Sequence, residues 1–417
     1  MGIVKQIMSV KHLLLIGGDS TTLEQLGQLP IRITYVTNDP SGLTASLHHT
    51  VRATHTTAPQ SLLTQLLPLH RATPFSGVIS FKEEWLELAA GIGELLNIPG
   101  NPVRPVILSR DKALFRQELR HSQLGNVPYQ LINSATDLIR FQQRIDGPVI
   151  LKPVKGAGSF GVRLIQPSAL STEAACNALL QDVEHEWMRG STAQYIAEAF
   201  MPGKEFSIEA LSKDGQHQIV TITERRIIAE DRFIGKGHII PANLPASSII
   251  RIHSAVIMML NMIGQRFGAS HTELKIHNNE IYIMETQTRT GGAQIWNLAE
   301  MTTGINLRQK AVCDLMDLSY EPASAVCKVA GVSYLHSNPG ILEDIIDRDN
   351  LLRHDHIHEF QFKYNKGEYM KAIDDSLDRR GFVVVRGPDY PFVHQSLEKI
   401  DNNFEFVIRQ PNEAYTR

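Results

Sequence analysis

The segment that most constrains this chain is Leu151-Lys152-Pro153-Val154-Lys155-Gly156-Ala157-Gly158-Ser159-Phe160-Gly161, an apolar run that ends in a lysine and is followed by three glycines. Gly156, Gly158 and Gly161 formally spell G-x-G-x-x-G, which in a dinucleotide-binding fold follows a strand and opens a helix. Here the next residues are Val162-Arg163-Leu164-Ile165, a short β-like run, and Pro167 discourages any helix before the next polar segment. No Gly-Lys-Ser/Thr closes the loop, so a Walker phosphate loop is excluded as well. The glycines therefore occupy the bend of a hairpin. Such a bend either lays its N–H groups over a polyphosphate or is simply a flexible turn, and the segment alone leaves both readings open.

At 417 residues the chain is long enough for two or three domains with their own cores. With 42% hydrophobic and 20% charged residues and a net charge of −3, nothing in its electrostatics points to a nucleic acid or membrane partner. Cys176, Cys313 and Cys327 are odd in number and widely spaced, which suggests neither a disulfide framework nor a zinc site. Lys5 and Lys11 flank only a short apolar patch without a cleavage site, and no later run is expected to span a bilayer. The expected location is the cytoplasm.

Residues 12–17 and 31–37 read as strands with a helix-compatible stretch between them, and Gly77–Phe81 with a helix from Glu83 to Leu96 continues the alternation. A small parallel sheet covered by helices is expected over the first hundred residues. Gly17-Gly18-Asp19-Ser20 is either a ligand site at a helix N-terminus or a tight turn capped by Asp19 or Ser20. Asn97–Pro105, with three prolines, reads as a linker. Beyond it, Arg110–Ser122 and Ala135–Ile145 are helix-like, while Val127–Ile132 and Pro148–Lys152 are strand-like. Strands at Tyr195–Phe200, Glu205–Leu211, His217–Thr223, His271–Ile276 and Ile281–Glu285 then predict an antiparallel α+β unit. Val329–Leu335, Ile357–Tyr364 and Gly381–Arg386 are strand-like in the final segment. The fold class is thus α/β followed by α+β, with units expected at 1–105, 106–212 and 213–417.

Glu273 and Glu285 lie on the two strands of an apparent hairpin turned by His277-Asn278-Asn279-Glu280. A two-residue Asn278-Asn279 turn would set Glu273 opposite Met284 and send the carboxylates to different faces. A three-residue loop, Asn278–Glu280, would set the two glutamates across from each other, with side-chain roots about 5 Å apart, and their repulsion would call for a cation. Oxygen ligands without histidine or thiol favour magnesium completed by phosphates and water; two exposed glutamates on an ordinary hairpin are the alternative. Thr286-Gln287-Thr288-Arg289-Thr290-Gly291-Gly292 follows at once, and its guanidinium and adjacent glycine N–H groups suit an anion.

With Asp111-Lys112-Ala113-Leu114-Phe115-Arg116 and Ala197-Glu198-Ala199-Phe200-Met201-Pro202-Gly203-Lys204-Glu205, this ordered set resembles the ATP-grasp ligases. The resemblance runs from about Lys11 to Ile408, and its specific motifs lie in Asn101–Gly292. It implies an ATP-grasp fold with an N-terminal Rossmann-like domain and a C-terminal α+β segment. On this resemblance Lys112 and Lys152 neutralise the phosphates of ATP, and Gly156, Ala157, Gly158, Ser159, Phe160 and Gly161 cover them. Glu198, Ala199 and Phe200 form the adenine-binding hinge, and Glu205 holds the ribose. Glu273 and Glu285 are the metal-binding acids, for one or two magnesium ions with manganese as a substitute, and Arg289 steadies the transferred phosphate. The family's asparagine two residues after the second acid is Gln287 here, which places ligation of a second ion by this residue in question.

His271-Thr272-Glu273-Leu274-Lys275 and the long C-terminal segment look most like the L-amino-acid ligase group. The implied reaction converts a carboxylate into an acyl phosphate with ATP and lets an amine displace phosphate, with Arg289 or the Gly291 and Gly292 amides facing the oxyanion. Partners would be a small-molecule carboxylate and amine; homodimers are frequent in the family. For the substrate, Glu224, Arg225 and Arg226 either fix an amino or carboxyl group or form a solvated charge run. His238 is a substrate contact, a base or a plain loop histidine, and Trp296 walls the pocket or belongs to the core. His354, His356 and His358 alternate and so share a strand face, with no further metal ligand nearby. Two other functions fit the same motifs: a ligase acting on a carrier protein or peptide, and a non-catalytic nucleotide sensor. The presence of Lys112, Lys152, Glu273, Glu285 and Arg289 together disfavours the sensor.

Overall fold

The computed structural model describes residues 10–40, 48–120, 122–124, 127–156, 158, 161–170, 174–180, 194–229, 234–373 and 378–410. Its first layer is a parallel sheet of β1 (His12–Ile16), β2 (Arg32–Thr37), β3 (His49–Arg52) and β4 (Gly77–Ile79) in the order β3-β2-β1-β4. The central strand is covered on both faces, which is why His-Leu-Leu-Leu-Ile reads as an unbroken apolar run. Leu14 and Ile16 pack with Leu62, Leu66, Trp85 and Ile92 of the covering helices, whereas Leu13 and Leu15 face Leu298, Ala311 and Leu315 from far along the chain. This unit is therefore joined to the rest through a shared core. Asp19 caps the helix Ser20–Leu26, accepting from the Thr22 N–H at 2.8 Å, and pairs with Lys82 at 2.8 Å, so the first βα turn is a capped turn.

The expected helix over Arg110–Ser122 forms as Lys112–Leu119, but the expected linker Asn97–Pro105 does not run its full length: a helix, Val103–Arg110, starts inside it and is broken from the next at Asp111. Asp111 leaves helical geometry and its carboxylate caps the second helix by accepting from the Ala113 and Leu114 N–H groups, each at 3.0 Å. Lys112 and Arg116, four apart, consequently share one helix face.

A second, antiparallel sheet comprises β5 (Tyr129–Ile132), β6 (Val149–Pro153), β7 (Arg163–Ile165) and β8 (Tyr195–Ala199) in the order β5-β8-β6-β7. Val149, Leu151, Tyr195 and Ala197 pack under the helix Ala135–Ile145 through Leu138 and Phe141. Alternation then turns Lys152 and Glu198 to the opposite face.

The largest sheet has eight strands: β9 (Lys204–Lys213), β10 (Gln216–Ala229), β11 (Ile234–Ile240), β12 (Gly268–His277), β13 (Glu280–Gln287), β14 (Val329–Leu335), β16 (Ile357–Phe362) and β18 (Gly381–Gly387). Their order is β13-β12-β9-β10-β11-β14-β18-β16, antiparallel throughout. A short antiparallel sheet of β15 (Gly340–Asp347), β17 (Tyr369–Met370) and β19 (Phe404–Arg409) completes the C-terminal part. One face of the large sheet buries Phe206, Ile208, Ala210, Leu274 and Ile283 against the helix Ala246–Ile263. That helix corrects the expectation about bilayer-spanning runs, because its 18 residues, of mean hydropathy 1.5, are long and apolar enough to cross a membrane by composition alone. Here Ile252, Val256, Met259, Leu260 and Ile263 bury one side of it against the sheet.

Candidate active site

The opposite face of the large sheet is polar. Along β9, Glu205, Ser207 and Glu209 alternate with Phe206, Ile208 and Ala210; along β12, His271, Glu273 and Lys275 alternate with Thr272 and Leu274. Two-residue periodicity thus puts acids and apolar side chains of the same strands on opposite sides.

Glu273 and Glu285 do face each other across β12 and β13, though not through the three-residue loop. The turn is the two-residue Asn278-Asn279, both with left-handed backbone (φ 48° and 63°), and Ile276 pairs with Ile281 as that turn requires. A one-residue register shift between Glu273 and Leu274 leaves Met284 as the extra residue of a bulge, which returns Glu285 to the face of Glu273. Arg116 fastens this bulge: its guanidinium donates to the carbonyls of Ile283 at 2.6 Å and Met284 at 2.9 Å. The same guanidinium holds Glu198 through both oxygens, at 2.6 and 3.0 Å.

Lys152 completes that buried group, with its ammonium 2.8 Å from Glu198. Burial alone would raise the Glu198 pKa, but the Arg116 and Lys152 charges outweigh it and hold the carboxyl down at about 2. For Lys152 burial dominates and lowers the pKa, against the pull of Glu198. Lys112 lies nearby, donating to the Gly156 carbonyl at 2.8 Å with Glu285 at 3.6 Å, so it ties the root of the glycine loop to the second acid. The loop itself joins β6 to β7 as a hairpin, and Gly158 (φ 72°) and Gly161 (φ 68°) take the left-handed conformation that favours glycine. Ala157, Ser159 and Phe160 lie outside the described residues.

Around Glu273 the charges are closely matched. Arg225 bridges Glu205 and Glu273, at 2.7 Å from the latter. Burial would lower the Arg225 pKa, but the two carboxylates raise it. His271 contacts Glu273 at 3.3 Å through Nε2 and Glu209 at 2.5 Å through Nδ1. Burial opposes charge on His271, but Glu209 and Glu273 prevail and raise its pKa to about 9. Gln287 donates from its amide nitrogen to Glu285 at 2.5 Å, while its buried amide oxygen has no partner. Two facing carboxylates beside an unsatisfied amide oxygen suit a hard divalent cation. Among the described residues no three His, Cys, Asp or Glu side chains close on one point, so such an ion would need substrate oxygens and water to fill its shell.

Several expected contacts are differently disposed. The N–H groups of Ala199 and Phe200 donate to the carbonyls of Pro128 and Pro148, at 2.9 and 3.0 Å, so neither is free for a base. Arg289 is held by Glu83 of the N-terminal unit and by the Thr290 carbonyl at 2.9 Å. The Gly291 N–H donates to Glu209 at 2.9 Å, and a Cβ at Gly291 would come within 2.8 Å of that carboxylate; Gly292 has open space around it. Of the three charges at 224–226, only Arg225 reaches the acids. Glu224 meets Lys204 at 3.3 Å, and Arg226 pairs with Asp401 on the helix Tyr390–Asn403. His238 is buried opposite Arg225 on β11, and Trp296 packs at the edge of the core with Arg308 4.9 Å above its ring. Only His358 of the three alternating histidines lies on β16, because the strand begins at Ile357, so their common strand face is not formed.

Sequence reasoning assigned no role to Arg116, Glu209, His271 or Glu83. The period-two pattern of β9 and β12 carried the signal for Glu209 and His271, whereas Glu83 meets Arg289 across 206 residues and leaves no local trace.

Three family models match in succession: ATP-grasp N-terminal domain over residues 25–100, ATP-grasp domain over 145–297, and L-amino acid ligase C-terminal domain 2 over 333–409. Alanine–anticapsin ligase of Bacillus subtilis is 26% identical over 220 residues, covering 49% of this chain and 46% of its own length. The chain thus spans about half the length of this relative. In fold, it superposes on a crystal structure of an L-amino acid ligase from Bacillus licheniformis with a TM-score of 0.80 at 20% identity, covering 96% of this chain and 99% of the other. A phosphoribosylglycinamide synthetase from Anaerococcus prevotii gives a TM-score of 0.66 at 16% identity, covering 96% and 100%.

Proposed function

Starting from a chain that belongs to the ATP-grasp superfamily, in its amino-acid ligase group, we propose that it activates a carboxylate with ATP and joins it to an amine, the two substrates being amino acids or similar small molecules. The observation that carries this reading is the facing pair Glu273 and Glu285, with Gln287 beside them and Lys112 linking them to the glycine loop. In this reading residues 1–105 form the base of the substrate site, 106–212 supply the lysines and the loop over the phosphates, and 213–417 supply the metal and substrate face.

Lys112 and Lys152 offset phosphate charge, and Glu205, once released by Arg225, accepts from the ribose. Ala199 and Phe200 offer the adenine a surface and not their N–H groups. Glu273, Glu285 and the Gln287 oxygen would hold magnesium, which when bound neutralises phosphate oxygens. A carboxylate oxygen of the donor attacks the γ-phosphorus, the bond from that phosphorus to the bridging oxygen of ADP breaks, and an acyl phosphate and ADP result. The amine nitrogen then attacks the acyl carbon, the bond to the phosphate oxygen breaks, and the departing phosphate takes the proton that the nitrogen loses. Arg289 steadies the transferred phosphate after exchanging Glu83 for it, and exclusion of water protects the acyl phosphate from hydrolysis.

Phosphate release measured over a matrix of amino-acid pairs, with mass spectrometry of the products, tests the proposal. Phosphate accompanied by an equimolar amide supports it. ATP consumed at the same rate without either substrate contradicts it.

A further inference from the structure

We propose that Arg308, stacked on Trp296, forms an anion subsite that takes an acidic side chain, so that one of the two amino acids joined carries a carboxylate beyond the one at its α-carbon. This deepens the ligase reading above and rests on it.

The first observation is an uncompensated charge. Arg308, on the helix Leu307–Leu315, is 8% exposed, yet among the described residues no carboxylate forms an ion pair with it. Arg116, Arg225 and Arg289 each have one, in Glu198, Glu273 and Glu83. The acids whose charges act on Arg308 are engaged elsewhere. Asp19 accepts from the N–H and hydroxyl of Thr22, at 2.8 and 2.7 Å, and pairs with Lys82, while Glu300 accepts from the Asn306 amide at 3.0 Å. Burial lowers the Arg308 pKa, and these two charges only oppose that. A guanidinium taken out of water without a counter-charge is costly, and an anion from outside the chain would relieve it.

The second observation is which N–H groups remain. Nη1 donates to the Gln25 amide oxygen at 3.2 Å, whereas Nε is buried without a partner and Nη2 donates to no described residue. Nε and Nη2 form the edge by which Arg116 grips both oxygens of Glu198, at 2.6 and 3.0 Å. In Arg308 the same edge meets no acceptor of the chain. Its plane is fixed in advance by the Trp296 ring, whose centre lies 4.9 Å from the guanidinium carbon, and by the Gln25 contact. Two parallel N–H groups in a fixed plane match the two oxygens of a carboxylate. An amide offers one oxygen and sets its own NH2 against the second donor.

The third observation is where this guanidinium stands. Trp296 lies on the helix Ile295–Thr303, which follows the Gly291-Gly292 turn and packs through Leu298 and Ala299 on Ile240 and Val332, the continuation of the sheet face that holds His238. Gln25 belongs to the helix that leaves β1, and Glu83, which reaches Arg289, follows β4. In the order β3-β2-β1-β4 the winding reverses between β1 and β4, and open parallel sheets take ligands outside the carboxyl ends of their strands at such a reversal. The charges felt by Arg308 are those of Asp19 and Glu300, and not those of Glu273 or Glu285. An anion held by it is therefore apart from the carboxylate being activated, as the side-chain acid of a substrate would be.

The test compares glutamate with glutamine and aspartate with asparagine, each beside alanine, in phosphate-release assays with mass spectrometry to show which position of the product the residue takes. In the wild type the acid of at least one pair should have a kcat/KM about thirtyfold above that of its amide, as loss of a charged hydrogen bond implies. Arg308→Met should raise the KM for that acid by about as much, bring acid and amide within about threefold of each other, and leave the KM for ATP within about twofold. Arg308→Lys, which keeps the charge and loses the fork, should retain part of the preference. Equal use of acid and amide by the wild type in both pairs overturns the subsite and leaves the ligase reading standing, and that comparison holds even where a variant fails to fold. A preference for the acid that survives Arg308→Met undiminished overturns it as well. Absence of phosphate release with every pair of amino acids overturns both.

Discussion

The two faces of the eight-stranded sheet are made by the same strands and do opposite work. Phe206, Ile208 and Leu274 are closed over by a helix and exclude water, while Glu205, Ser207, Glu209 and Glu273, their immediate neighbours in sequence, gather polar groups and charge on the other side. The apolar face makes the strands rigid, and that rigidity allows like-charged groups to be held together on the other side. The difference is set by two-residue alternation, corrected at one place by the bulge at Met284.

Adjacent substitutions separate the faces most sharply. Glu273→Gln should lower ligase turnover by on the order of a thousandfold with little change in unfolding midpoint. Leu274→Ala should cost about 2–5 kcal/mol in urea unfolding while kcat per folded molecule is kept. If both variants lose the same property, the division between the faces is wrong. Next in size, Glu198→Gln strands Arg116 and Lys152 as uncompensated buried cations and should cost about 3–5 kcal/mol. Because the folded pKa of Glu198 lies near 2, below its unfolded value of 4.5, its stabilising contribution is fully present above about pH 4.5 and is lost as pH falls through 2. Acid unfolding of Glu198→Gln should therefore be shallower than that of the wild type over this window. Glu209→Gln removes the carboxylate that joins His271 to the Gly291 N–H and should lower kcat by about 10- to 100-fold without disturbing the apolar face, as steady-state kinetics and thermal melts would show. Smallest is Asp19→Ala, which loses a helix cap for about 1 kcal/mol and should leave turnover unchanged.

Most of the strands were legible in the sequence because their patterns are simple: continuous apolar runs in the parallel sheet, alternation in the large one. The facing of Glu273 and Glu285 was also legible, although the sequence argument reached it through a three-residue loop. A two-residue turn followed by a bulge produces the same pairing, and a bulge has no marker in Tyr-Ile-Met-Glu. The helix Val103–Arg110 was concealed by Pro102 and Pro105, which stand at its start and in its first turn and read as a linker. Contacts made across the fold were not legible at all. Glu83 with Arg289, Arg116 with the carbonyls of Ile283 and Met284, and Arg226 with Asp401 are set by how units pack, and each joins residues more than 160 positions apart. For that reason Glu224 and Arg226, grouped with Arg225 by sequence alone, turn to Lys204 and to the C-terminal helix respectively, while Arg225 turns to the acids.

The central claim is that the polar face splits ATP only in the course of joining two substrates, with Glu285 holding the cation that the reaction needs. ADP formation by the wild-type protein and by Glu285→Ala, each measured with no substrate, with the carboxylate alone, with the amine alone and with both, tests this directly. The account predicts repeated turnover to ADP by the wild type only when both substrates are present, at most about one equivalent of ADP per enzyme with the carboxylate alone, and none from Glu285→Ala at an unfolding midpoint equal to or above that of the wild type. Undiminished ADP formation by Glu285→Ala, or equal ADP formation by the wild type in all four mixtures, would contradict it.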